Sequence, residues 1–149
     1  LIKNTLLKNK AANSKFIGLM FNIDDYEENL NIAISKNKAL YKSITCSILG
    51  MGLDGHTASL FPNSEEIYTD DSIFGDKIII NTKATSEPSK RISYTKSKIL
   101  SSKHLFLYFN GKEKLDVFYS AKESNNSSLK PISAFIHQNK KTLNVFCSI

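Results

Sequence analysis

Short apolar runs alternate along this chain with stretches in which apolar residues return every three or four positions. Ile44-Thr45-Cys46-Ser47-Ile48-Leu49 is the first such run, β-branched and ended by Gly50. That pattern predicts an interior strand. Lys77-Ile78-Ile79-Ile80-Asn81 and Leu105-Phe106-Leu107-Tyr108-Phe109 predict two more of the same kind, and Thr142 to Phe146 a last one. Ahead of them, Tyr26, Leu30, Ala33, Ile34, Leu40 and Tyr41 fall near helical spacing, with Asp24-Asp25 placed to cap and Glu27 or Glu28 in the first turn. Asn110 is the expected N-cap of a helix whose face carries Leu115, Phe118 and Tyr119. Pro131 starts a predicted short helix through Phe135 and Ile136, and Leu1 to Lys8 reads as an amphipathic helix. Buried strands alternating with amphipathic helices predict an α/β fold with a largely parallel sheet flanked by helices.

No internal repeat interrupts this order, and the polar stretch Glu123 to Ser128 reads as a surface loop rather than a linker. The 149 residues therefore form one expected domain, residues 1–149. With 41% hydrophobic and 23% charged residues the balance is that of a globular chain, which excludes disorder. No apolar run approaches the ~20 residues of a membrane helix, and the N-terminus has no signal-peptide pattern. The expected compartment is the cytoplasm, with no membrane partner. Cys46 and Cys147 each lie in an apolar stretch, without metal-ligand spacing, and read as buried, unpaired strand cysteines. The net charge of +6 raises the question of an anionic partner, but the lysines are scattered among Asn and Ile rather than clustered. Nucleic-acid binding is therefore not expected.

Candidate chemistry concentrates in Gly50-Met51-Gly52-Leu53-Asp54-Gly55-His56-Thr57-Ala58-Ser59-Leu60-Phe61-Pro62, directly after the first predicted strand. Ligands of open α/β sheets bind beyond the carboxyl ends of strands. Gly50, Gly52 and Gly55 allow tight turns and close approach of backbone to substrate. Asp54, two residues from His56, is placed to orient an imidazole acting as general base. Arg91 is the one arginine among 20 basic residues, and its planar fork suits a phosphate in a way lysine does not. Lys114 falls in the first turn of its predicted helix, where free backbone N–H groups favour an anion.

The string from Gly50 to Pro62 closely resembles the signature of the 6-phosphogluconolactonase family, within the wider glucosamine-6-phosphate isomerase/deaminase superfamily. Arg91-Ile92-Ser93-Tyr94-Thr95 resembles the family's Arg-Ile-Thr-Leu-Thr segment. Leu105 to Lys114 resembles its strand followed by Gly-x-x-Lys, and Pro131-Ile132-Ser133 its Pro-Ala-Ser. The resemblance implies a Rossmann-like fold and hydrolysis of a phosphorylated sugar lactone. His56 would serve first as base and then as acid, and Asp54 would hold its tautomer. Gly50, Gly52, Gly55, Arg91 and Lys114 would bind substrate, with no metal or organic cofactor. The sugar-phosphate deaminases carry a Glu five residues after the motif His, where this chain has Phe61, so the lactonase branch fits better than the deaminase branch. His104 and His137 receive no role, and Lys83 and Lys90 find no clear counterpart.

The family's Gly-Gly-x-Thr-type phosphate loop and its Asp-Glu-Arg segment have no counterpart among these residues. The chain is therefore expected to be the C-terminal portion of the family domain, lacking the N-terminal strands. Roughly 80 to 100 further residues are expected upstream of Leu1, in line with a common domain size. A non-catalytic sugar-phosphate-binding fragment, or a relative of the sugar-phosphate deaminases/isomerases, stands as the alternative function.

Overall fold

A computed structural model describes residues 2–68 and 77–149 of the chain. Its centre is a three-stranded sheet of β1 (Cys46–Leu49), β4 (His104–Asn110) and β5 (Leu143–Ser148), in the order β1-β4-β5 with both pairings parallel. Leu105, Leu107 and Phe109 point to one face of β4 and are buried, while His104, Tyr108 and Asn110 are exposed. That alternation gives the sheet one apolar inner face. Two helices close over it: α5 (Lys112–Ser124), through Leu115, Phe118 and Ala121, and α6 (Ser133–Ile136), through Phe135. The predicted α/β class with a parallel sheet is what the chain adopts.

The sheet's other face differs from expectation. β1 pairs only with β4 among the described residues, so it is an edge strand there rather than the interior strand predicted. Ile48 is 73% exposed and Phe146 56%, with Tyr108 exposed between them on the same face. Cys46 and Cys147 lie on the two outer strands and are exposed, not buried: Cys46, level with His104, is on the uncovered face, and Cys147, level with the buried Phe109, is near the end of the edge strand β5.

β2 (Ile79–Lys83) forms a separate antiparallel ribbon with β3 (Lys90–Tyr94), which sequence pattern did not predict. The Ile78-Ile79-Ile80 run is nevertheless wholly buried, because the ribbon lies between two apolar clusters. Ile80 joins the main core with Leu60 and Leu107, whereas Ile78 and Ile79 pack with Ala33. Burial on two sides produces the same continuous apolar run as an interior parallel strand.

Helix α2 (Tyr26–Lys36) starts as the sequence predicts, with Asp25 accepting a hydrogen bond from the Glu28 amide at 2.9 Å and Glu27 and Glu28 in the first turn. It stops at Asn37, and Lys38–Tyr41 continues as a 3-10 turn; the side chains of Leu40 and Tyr41 lie outside the described residues. At the N-terminus only Ile2–Thr5 is helical (α1) and none of its residues is buried, so the longer predicted helix has no core to hold it. Leu1 lies outside the described residues. Two further short helices, α3 (Glu65–Tyr68) and α4 (Lys96–Leu100), flank the ribbon in sequence. No helix among the described residues is long and apolar enough to cross a membrane.

Two tyrosines fasten α2 to the ribbon. Tyr26 Oη donates to Thr82 O at 3.0 Å, and Tyr94 Oη donates to Asn37 Oδ1 at 2.9 Å. Burial pushes the Tyr94 hydroxyl above its ordinary 10.0. A raised folded-state value means this contribution to stability is complete below pH 10 and is lost as pH rises through the folded value. Tyr94→Phe should strand the buried Asn37 oxygen and cost about 1–3 kcal/mol in urea denaturation at neutral pH. It should also make stability fall less steeply than in the parent on the alkaline side.

Candidate active site

The segment after β1 folds into two linked turns at the carboxyl end of the sheet. Gly52 N donates to His56 O at 2.9 Å and Gly55 N to Gly52 O at 3.0 Å, closing the first turn. Leu60 N donates to Thr57 O at 2.9 Å, closing the second, and the buried Thr57 hydroxyl donates back to Gly50 O at 2.7 Å. Met51 and Leu60 sink into the core on either side, so the turns are anchored although their tip is open.

The three glycines are not equivalent. At Gly52 a Cβ would overlap the His56 ring and lie 2.6 Å from Asp54 Oδ1, so only glycine lets the imidazole lie against the backbone. Gly55 takes φ +80°, in the region that favours glycine, and is covered by Lys130. Gly50 has open space around it and makes no such demand.

Asp54 Oδ1 sits 2.6 Å from His56 Nδ1 and also accepts the His56 backbone N–H at 3.0 Å. An ionised carboxylate only accepts, so Nδ1 carries the proton in the neutral ring and the Nε2 lone pair is free to take one. Among the described residues no hydrogen bond engages Nε2. The two side chains are 36% and 43% exposed, which makes the pair worth little to stability and leaves it open to a ligand. The Phe61 ring lies 4.9 Å from the imidazole, centroid to centroid, and supplies an apolar wall.

The structure thus gathers Gly52, Asp54, Gly55 and His56 in one turn. β1 and β4 are parallel neighbours, so the loop after one and the helix that carries Lys114 after the other open on the same side, without a hydrogen bond from Lys114 to Asp54 or His56. Leu53 and residues 110–114 line a single cavity of about 280 Å³. Helix α5 begins at Lys112 with Gly111 as its cap, since the predicted cap Asn110 is the last residue of β4. Lys112 is paired with Asp116 at 3.3 Å, whereas Lys114 has no ion pair among the described residues.

Arg91 stands on the ribbon. It shares a face of β3 with Ser93, whose hydroxyl accepts from Ser59 N at 3.2 Å, so this face meets the second turn. The Arg91 guanidinium donates to the Lys90 carbonyl at 3.3 Å, and its charge acts on the nearby Tyr26 hydroxyl. It makes no hydrogen bond to Asp54 or His56. Lys90 Nζ lies 5.8 Å from the Tyr26 ring centroid, while Lys83 lines a larger cavity of about 570 Å³ with Ser64, Glu65 and Glu66. That cavity holds neither Asp54 nor His56. Sequence reasoning passed over Lys130 and the Ile132 amide, which donates to Gly55 O at 3.0 Å. The resemblance of Pro131-Ile132-Ser133 to a family segment was the one available signal.

Comparison with known proteins bears on the family and the fold. The family described as glucosamine-6-phosphate isomerases/6-phosphogluconolactonase matches residues 1–144. The chain is 32% identical over 146 residues to a 6-phosphogluconolactonase of Helicobacter pylori, covering 98% of this chain and 62% of that protein. A Pseudomonas putida 6-phosphogluconolactonase is 35% identical over 140 residues, covering 92% and 56%. A crystal structure of a 6-phosphogluconolactonase from Shewanella baltica superposes with a TM-score of 0.87 at 34% identity, over 99% of this chain and 63% of that one. The chain therefore spans less than two thirds of the length of these relatives. A match that runs through nearly all of its residues, on a fold that sets Asp54 and His56 at the end of a parallel strand, means that the chain belongs to the glucosamine-6-phosphate isomerase/6-phosphogluconolactonase family.

Proposed function

We propose that this chain carries the reactive centre for hydrolysis of 6-phospho-D-glucono-1,5-lactone to 6-phosphogluconate, in the cytosol, as a step of the pentose phosphate pathway. The observation that carries this reading is the 2.6 Å contact of Asp54 with His56 Nδ1, which leaves Nε2 as the basic atom of an open turn. His56 Nε2 takes a proton from water as the oxygen bonds to the lactone carbonyl carbon. The imidazolium then returns that proton to the ring oxygen as the C–O bond breaks. Asp54 holds the tautomer and stabilises the imidazolium. The lactone is already electrophilic, so positioning and charge supply most of what the protein must add, and neither an electron carrier nor a metal is called for.

Phe61 favours hydrolysis over deamination or isomerisation. At 4.9 Å from the imidazole it offers no carboxylate to exchange a proton with His56. Lys114 and Arg91 are proposed to hold the phosphate, Lys114 in the first turn of α5, where the Gly111 cap offers no side chain to the free amides. Gly52 seats the His56 ring against the backbone and Gly55 supplies the positive-φ turn beneath Lys130, so both would serve the reaction through the imidazole rather than by touching the sugar, and Gly50 faces open space.

Lactone consumption by this chain, corrected for spontaneous hydrolysis, tests the reading. Turnover should saturate, and kcat/KM for the phosphorylated lactone should exceed that for unphosphorylated gluconolactone by about tenfold to a hundredfold, the worth of one or two charge-assisted bonds. Because the chain covers 62% of its Helicobacter pylori relative, sugar-phosphate binding without turnover is the second reading. Calorimetric binding of 6-phosphogluconate together with a lactone rate no faster than buffer would select it.

A further inference from the structure

We infer that Lys130 is a positioning residue for the Asp54–His56 turn, pressing its stem on Gly55 while its ammonium is tied to helix α5. Gly55 is buried at φ +80°, and a Cβ there would fall 2.9 Å from Lys130 Cβ and 3.1 Å from its Cα and Cγ. Lys130 therefore lies flat on the glycine that joins Asp54 to His56. Its backbone is held in turn, with N donating to Asn126 O at 2.9 Å and O accepting from Ser133 N at 2.8 Å. Its Nζ donates to the hydroxyl of Ser120, in the middle of α5. The same loop reaches the catalytic segment twice more, through Ile132 N to Gly55 O at 3.0 Å and through Ser128 O, which accepts from Asn63 N at 2.8 Å.

The consequence for chemistry follows from the geometry. Asp54 Oδ1 holds both the backbone N–H and Nδ1 of His56, so any rotation of the Gly55 peptide moves both bonds at once. Lys130 packs on the side of Gly55 where a Cβ would point, and so bounds movement of that residue toward it. Ser120 fixes the lysine stem, and it does so from the helix that presents Lys114, so one side chain joins the proton-transfer turn to the anion-binding helix. A lysine that merely shielded a glycine would need no such partner. The kinetic side of this inference rests on the hydrolase reading above.

The test uses Lys130→Ala, Lys130→Met and Ser120→Ala in this chain, with two readouts. In lactone hydrolysis, Lys130→Ala should lower kcat about tenfold with KM within about twofold, since misplacing a catalytic group costs rate rather than affinity. Lys130→Met keeps the stem without the charge and should recover most of that loss, and Ser120→Ala should lower kcat about two- to threefold. In ¹⁵N NMR of the neutral His56 ring, the parent and Lys130→Met should show the Nδ1–H tautomer, and Lys130→Ala a mixture. Unchanged kcat and tautomer in Lys130→Ala would overturn the inference, as would a Met variant no better than Ala. If Lys130→Ala does not fold, an unaltered kcat in Ser120→Ala overturns it instead. If the parent hydrolyses no lactone, the hydrolase reading fails by itself and the tautomer comparison still decides the role of Lys130.

Discussion

His56→Ala should lower kcat for lactone hydrolysis by about 10²- to 10⁴-fold, the usual worth of a positioned general acid–base. The substitution removes both the Nε2 lone pair and the ring that Asp54 holds at 2.6 Å. Folding should be nearly unaffected, because the imidazole is 36% exposed and its partner carboxylate more so. Binding of 6-phosphogluconate should also persist if Lys114 and Arg91 carry the phosphate. A variant that melts with the parent, still binds the product and no longer turns over lactone would place the proton transfer on His56. Retention of the parent kcat would remove His56 from the mechanism altogether.

Gly52→Ala should be nearly as damaging to rate, by a different route. The added methyl cannot share space with the His56 ring and Asp54 Oδ1, so the imidazole must swing away from the backbone. A displacement on the order of 1 Å at a reacting group costs about 10²-fold in kcat. Gly50→Ala, in open space, is the control and should change kcat by less than about twofold, within the range of an ordinary surface substitution. Stopped-flow rates on the two variants, side by side, check the contrast. Equal effects would mean that the glycines serve backbone flexibility in general rather than the seating of one ring.

That contrast also marks how far the sequence could be read. Three glycines in six residues announce a turn, but only packing shows which of them a side chain lies against. Asp25 and the spacing from Tyr26 to Ile34 place the start of α2, because cap chemistry and helical period are local, whereas Leu40 and Tyr41 of the same expected stripe fall beyond its last residue, Lys36. The Leu105–Phe109 run located β4 for a similar reason. β2 was assigned to the wrong kind of sheet, since burial between two clusters leaves the same apolar run as burial inside a parallel sheet. β3 has Lys90 and Arg91 at its start and carried no strand pattern, so it was legible only as a family segment. Asp54 and His56 were legible because both partners lie in one turn. Lys130 was not, because its partners Gly55 and Ser120 are brought to it by the fold.

The exposed cysteines give the sheet a built-in ruler. Cys46 pairs with His104 on one side of β4 and Cys147 with Phe109 on the other, so the two thiols straddle the central strand. Two strand spacings of about 4.8 Å across and five residues of about 3.3 Å along put their Cα atoms about 19 Å apart. Both thiols are accessible, so a pair of spin labels can be attached without any substitution. Their separation reports directly on whether β1 stays zipped to β4 when 6-phosphogluconate is added.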